Sequence, residues 1–150
     1  MKAVAHLADL AALTGEILDV GDWLEVDQAR IDRFAQATGD VQWIHVDPVR
    51  AAAGPFGATV AHGFLTLSLL PQLFASALHV GDVRMGLNYG LNRVRFPSPV
   101  PVGSRLRAEW RLLSYEAIDG GAQLVTQVTV ERADGSKPAC VAEWVTRHFY

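Results

Sequence analysis

Hydrophobic residues follow two different periods along this chain, and the change comes near Gly81. Before it the period is helical. Ile31, Phe34, Ala35 and Thr38 fall on one side of a helix that Asp27 can cap and Gly39 can stop. A short strand, Trp23 to Val26, leads into it. Asp47-Pro48 is a second start signal, an N-cap acid followed by proline at the first helical position, and Gly54-Pro55 closes the short helix Val49 to Ala53. Asp40 to Val46 is thereby read as a connector between two helices. The run from Gly63 to Leu78 is apolar on nearly every side, which predicts a helix enclosed by other elements and kinked or broken at Pro71.

After Gly81 the period becomes two. Leu106, Ala108, Trp110 and Leu112 alternate with Arg105, Arg107, Glu109 and Arg111, the pattern of a half-buried strand. Leu124, Thr126, Val128 and Val130 alternate with Val125, Gln127, Thr129 and Glu131 in the same way. Asp119-Gly120-Gly121 and Asp134-Gly135-Ser136 supply turns on either side, so the neighbours are antiparallel. Leu91 to Phe96 is a further strand ahead of Pro97, Pro99 and Pro101, and Ala139 to Phe149 is a last one with apolar residues on both faces. Early helices followed by a meander of strands, with one apolar helix that needs wrapping, predict an α+β domain: an antiparallel sheet curled around a central helix.

Composition narrows the field. The chain has 150 residues and is 50% apolar, which fits one domain, residues 1–150, with a substantial core. A net charge of -3 and only two lysines, Lys2 and Lys137, argue against a nucleic-acid surface. The other basic residues are arginines, whose planar fork suits phosphate, although an exposed arginine by default only solvates a strand face. The single cysteine, Cys140, excludes an internal disulfide framework and any cysteine-based zinc site. The five histidines show no metal spacing. Asp9, Glu16 and Asp19 interrupt every apolar stretch near the start, and Phe64 to Leu78 is shorter than the roughly 20 residues of a membrane span, so a cytoplasmic protein without membrane insertion is expected.

The chemistry concentrates in two places. Asp40 precedes His45 by five residues just past the first helix, and His62-Gly63 opens the apolar helix. A carboxylate, an imidazole and a bare backbone amide at a helix start are the parts of an acid/base site for a carbonyl-activated substrate. Each part alone has a plain alternative: Gly-Asp is a common turn pair, and a histidine at a helix start is often a hydrogen bonder. Ser68, on the buried helix, is a candidate contact for an acyl group or else bonds back to its own helix. Asn92 and Arg93 are candidates for lining a channel or meeting phosphates, or are ordinary strand residues.

The order of elements, the Gly39-Asp40 to His45 connector and Ala61-His62-Gly63 resemble the hotdog fold of the MaoC-like, (R)-specific enoyl-CoA hydratases. Phe34, Gly39, Asp40, Ile44, His45 and Ala51 match that family's signature. Its Asn-Pro pair is replaced here by Gln42-Trp43, as in the branch that resembles the nodulation protein NodN. The resemblance implies reversible hydration of trans-2-enoyl-CoA thioesters to (R)-3-hydroxyacyl-CoA. It implies Asp40 and His45 as the catalytic pair, one of them taking the proton of a bound water. It implies Gly63 as oxyanion donor, with Gln42, His62 and Ser68 near the substrate and Asn92 and Arg93 toward coenzyme A or the channel. Coenzyme A enters only as part of the substrate, no other cofactor is expected, and a homodimer is.

Two other classes stand beside this one. A hotdog thioesterase often carries an acid on or near the central helix, and Gly63 to Leu78 contains no Asp or Glu. A non-catalytic acyl-binding or regulatory module would keep the fold, its chemistry disabled by the Gln42-Trp43 replacement.

Overall fold

The computed structural model describes residues 1–135 and 137–150. Ser136, the last residue of one predicted turn, lies outside the described residues. The chain opens with β1 (Lys2–Val4), a 3-10 helix (Leu7–Leu13) and two short strands, β2 (Ile17–Val20) and β3 (Leu24–Val26). Helix α1 (Gln28–Thr38) follows, and both its ends form as the sequence requires. The Asp27 carboxylate accepts the Arg30 amide at its start, a cap worth about 1 kcal/mol. Gly39 turns left-handed at its end, with φ of 78°.

The stretch expected to be a plain connector contains a single helical turn, α2 (Trp43–Val46), so that expectation is corrected. Its amides bond locally, His45 to the Gln42 carbonyl at 3.0 Å and Asp47 to the Trp43 carbonyl at 3.1 Å. Trp43 lacks proline's fixed φ, and packing holds the turn instead. The indole lies so close to Gly54 that a Cβ there would sit 3.0 Å from the ring. The Arg50 guanidinium covers the indole at 4.3 Å. Asp47 caps α3 (Pro48–Ala52) through the Arg50 amide.

The apolar run divides into α4 (Gly63–Ser68) and α5 (Leu70–Ala77), and the break expected at Pro71 falls at Leu69, which puts the proline in the first turn of α5. Leu65, Thr66, Leu69, Leu70, Leu73 and Ala77 are buried, but Phe64 is 70% exposed and Ser68 is also exposed. The expectation of a fully enclosed helix therefore holds for one side only. From Leu78 the chain runs as β4 (Leu78–Val80), parallel to β1, a pairing that the sequence did not announce.

Four long strands follow: β5 (Met85–Arg95), β6 (Ser104–Ile118), β7 (Gly121–Arg132) and β8 (Cys140–Phe149). Together with β2 and β3 they form a six-stranded sheet in the order β2-β6-β7-β8-β5, antiparallel throughout, with β3 also pairing β6. β5 extends six residues ahead of the predicted start, from Met85 instead of Leu91. The two-residue link Asp119-Gly120 joins β6 to β7, and a side chain on Gly121 would collide with the His148 carbonyl. Leu106, Ala108, Trp110 and Leu112 of β6 and Leu124, Thr126, Val128 and Val130 of β7 all point inward. The sheet curls over α4 and α5, and Phe74 wedges edge-on between Trp110 and Trp144. This is the hotdog arrangement.

Candidate active site

Three segments far apart in sequence converge at the start of α4. The αL turn at Gly39 releases Asp40 at the surface, the single turn of α2 points His45 inward, and the strand-like Thr59–Ala61 segment delivers His62. His45 is 7% exposed and His62 3%, whereas Asp40 is open to solvent. A cavity of about 240 Å³ is lined by Asp40, His45, His62, Gly63, Phe64 and Phe96. Among the described residues, larger hollows lie elsewhere, but none of them joins a carboxylate to an imidazole.

Hydrogen bonds fix the tautomer of each ring. His45 Nδ1 lies 2.6 Å from the Val60 carbonyl oxygen, which can only accept, so Nδ1 carries the proton and Nε2 of the neutral ring keeps its lone pair. His62 Nε2 donates to the backbone carbonyl of Asp40 at 2.9 Å, which leaves its Nδ1 buried without a partner among the described residues. The two imidazoles stack, with centroids 3.7 Å apart and planes 24° off parallel. Phe34 closes the other side of His62 at 4.9 Å.

The first turn of α1 supports this arrangement from below. Gln28 Nε2 donates to the His45 carbonyl at 2.8 Å and to Asp32 at 2.8 Å, while its Oε1 accepts from Thr59 at 2.5 Å. One amide thus ties α1, α2 and the segment before α4 together. Sequence reading missed Gln28, although it shares the inward stripe of Ile31 and Ala35 at helical spacing. Phe96 was missed as well. It packs directly over Gly63, where a Cβ would meet its ring at 3.1 Å, so any larger residue there would push the ring back.

One ligand atom from each of Asp40, His45 and His62 lies within 4.8 Å of the others, a grouping that sequence spacing did not show. His45 Nδ1 and His62 Nε2 are both held by backbone carbonyls, so one nitrogen of each ring remains for any ligand. Within that 4.8 Å limit one water can bridge a carboxylate and an imidazole nitrogen.

The other candidates scatter. Gln42 caps α2 through its backbone alone, and its exposed side chain is not among the cavity lining. Ser68 Oγ donates back to the Phe64 carbonyl at 2.6 Å and lines a separate groove with Asn88, Tyr89, Leu91 and Trp144. Arg93 lies in a hollow with Arg95, Gln127 and Glu143, and Asn92 is an exposed residue of β5. Neither reaches the Asp40–His45 cavity.

Residues 9–134 match the family described as MaoC like domain. The chain is 52% identical to 3-hydroxyacyl-thioester dehydratase Z of Mycobacterium tuberculosis, over 99% of both proteins. It is 50% identical to nodulation protein N of Rhizobium leguminosarum bv. viciae, over 93% of this chain and 89% of that protein. Among solved structures, the (R)-hydratase from A. caviae involved in PHA biosynthesis superposes with a TM-score of 0.64 at 26% identity, over 86% of this chain and 96% of that one. The chain that builds this site belongs to the MaoC-like dehydratase family.

Proposed function

We propose that this protein is a hydro-lyase that adds water reversibly to trans-2-enoyl-CoA thioesters, giving (R)-3-hydroxyacyl-CoA, with Asp40 and His45 as its catalytic pair. The observation that carries the reading is an open carboxylate within 4.8 Å of a buried imidazole whose Nδ1 is held by the Val60 carbonyl, which leaves Nε2 as the ring's acceptor. The relative named 3-hydroxyacyl-thioester dehydratase supports this class of reaction, since dehydration is hydration run backwards. The likeness to the (R)-hydratase supports the stereochemistry.

In the hydration direction the water oxygen bonds to the β-carbon as its proton passes to the pair. The C=C electrons move toward the thioester, and charge builds on the thioester oxygen until the α-carbon accepts a proton from the same pair. Gly63 is the first residue of α4, so its amide has no intrahelical acceptor and is available to that oxygen. A donor of this kind is typically worth about 3 kcal/mol of barrier. The reaction needs no cofactor, because coenzyme A arrives with the substrate and the thioester itself activates the double bond.

The working form in this proposal is a homodimer in the cytoplasm. Among the described residues β5 ends the sheet with an unpaired edge and leaves Met85, Leu87, Tyr89 and Leu91 at 50, 47, 59 and 41% exposure, a surface suited to a second copy. Among the described residues no helix is long and apolar enough to cross a membrane.

The test follows enoyl-thioester absorbance with crotonyl-CoA and a longer homologue, with free thiol monitored in the same sample. Hydration lowers the absorbance without releasing thiol, and Asp40→Asn and His45→Gln abolish the change. Thiol release would instead identify a thioesterase. Cys140 does not disturb the reporter, because it is fully buried and burial pushes its thiol up to about 11.

A further inference from the structure

We infer that His62 is a positioning residue for the proposed hydration, a tether that fixes the catalytic connector through the Asp40 backbone and one face of His45. The inference rests on the hydratase reading and deepens it. Asp40 follows a left-handed glycine on an exposed turn, where its amide makes only a long bond of 3.5 Å to the Thr38 hydroxyl. The restraint comes from 22 residues away, where His62 Nε2 donates to the Asp40 carbonyl at 2.9 Å. The same ring lies flat on His45 at 3.7 Å, so a single side chain touches both members of the pair.

The geometry distinguishes this role from substrate contact. His62 spends its one proton on a backbone carbonyl, so it has no donor left for a thioester oxygen. Its remaining nitrogen is buried with no partner among the described residues, an unusual state for a polar atom in a native fold. A purely structural position of this shape would be filled as well by an aromatic hydrocarbon ring, and Phe34 already packs there. An imidazole in this place is explained by the Nε2 donor. His62 is also the N-cap of α4, directly before Gly63, so the tether sets the distance between the Asp40–His45 pair and the amide proposed to receive the oxyanion.

His62→Phe and His62→Gln separate the donor from the packing. Phenylalanine keeps the stack and loses the donor, whereas the glutamine amide can reach the Nε2 position and restore it. With crotonyl-CoA, His62→Phe is expected to lower kcat on the order of 100-fold with KM nearly unchanged, the scale of loss when reacting groups are misplaced by about 1 Å. His62→Gln is expected to recover most of that loss. Hydrogen exchange over residues 39–44 provides a readout independent of turnover: it should accelerate in His62→Phe and return toward wild type in His62→Gln.

Unchanged exchange in His62→Phe overturns the tether, and so does an equal kcat loss in both variants. A loss confined to KM would instead make His62 a substrate contact. If the wild-type protein does not hydrate the thioester, the hydratase reading fails and the exchange comparison still decides whether His62 restrains Asp40.

Discussion

The Nδ1–H of His45 donates to the carbonyl of Val60 at 2.6 Å, joining residues 15 apart in the chain. This bond decides which nitrogen of a buried imidazole faces the cavity with a lone pair. It also provides a clean variant. Asparagine at position 45 places its amide where Nδ1 stood and can keep the bond to Val60, but it offers no counterpart of Nε2. His45→Asn is therefore expected to melt within a few degrees of wild type while losing about 10²- to 10⁴-fold in hydration rate, the usual worth of a general acid/base. Hydration above about a tenth of the wild-type rate would remove His45 from the chemistry.

How much of this was legible in the chain depended on distance along it. Asp40 and His45 sit on one short segment flanked by a glycine stop and an N-cap acid, so their proximity follows from local rules. The long strands β6 and β7 were equally plain, because alternation over eight residues admits few other readings. Val60, Gln28 and Phe96 were not visible as site residues, since the first two meet His45 and Phe96 meets Gly63 only through tertiary packing. The exposed side of α4 was misread for a related reason. An apolar run says that burial is wanted, not whether the chain's own sheet or a second molecule supplies it.

The contact of Phe96 with Gly63 leads to a coupled prediction. Gly63→Ala places a methyl 3.1 Å from the Phe96 ring, tighter than ordinary van der Waals contact. Phe96 is 40% exposed and free to swing away, so the cost falls on the shape of the site and not on the fold. Steady-state kinetics should show kcat/KM reduced by about tenfold, roughly 1.4 kcal/mol of barrier, with little change in melting temperature. In the double variant Gly63→Ala/Phe96→Ala, at least part of that loss should return relative to Phe96→Ala alone. Strict additivity would show that the contact is irrelevant to turnover.

His148 gives the fold a pH dependence of known sign. Burial holds this imidazole below its usual value of 6.5, with Nε2 paired to the Thr146 hydroxyl at 2.9 Å. The folded state therefore favours the neutral ring, and the unfolded chain binds the proton more readily. The resulting stability is fully present above the unfolded value and is lost as pH falls through the folded one. Melting temperature should drop between about pH 7.5 and about pH 5, and His148→Gln, which has no titrating ring, should drop less over the same interval. Parallel melting curves for the two proteins would place the acid sensitivity elsewhere.

The free edge of β5 carries the last prediction. Leu87 and Leu91 lie on a strand that pairs with β8 on one side only, and both are more than a third exposed, as are Met85 and Tyr89 beside them. Isolated apolar residues on a surface need no partner, but these four crowd one terminal strand beside unpaired backbone groups, Leu87 opposite Arg147 on one face and Leu91 opposite Trp144 on the other. Leu87→Asp combined with Leu91→Asp would bury two carboxylates in any interface built there, at a cost no exposed loop would impose. Sedimentation should show half the wild-type mass for this variant, while Val49→Asp, on an 86% exposed position of α3, should leave the mass unchanged. A wild-type protein that sediments as a monomer at working concentration would refute the dimer outright. A dimer that survives both aspartates would move the interface away from β5.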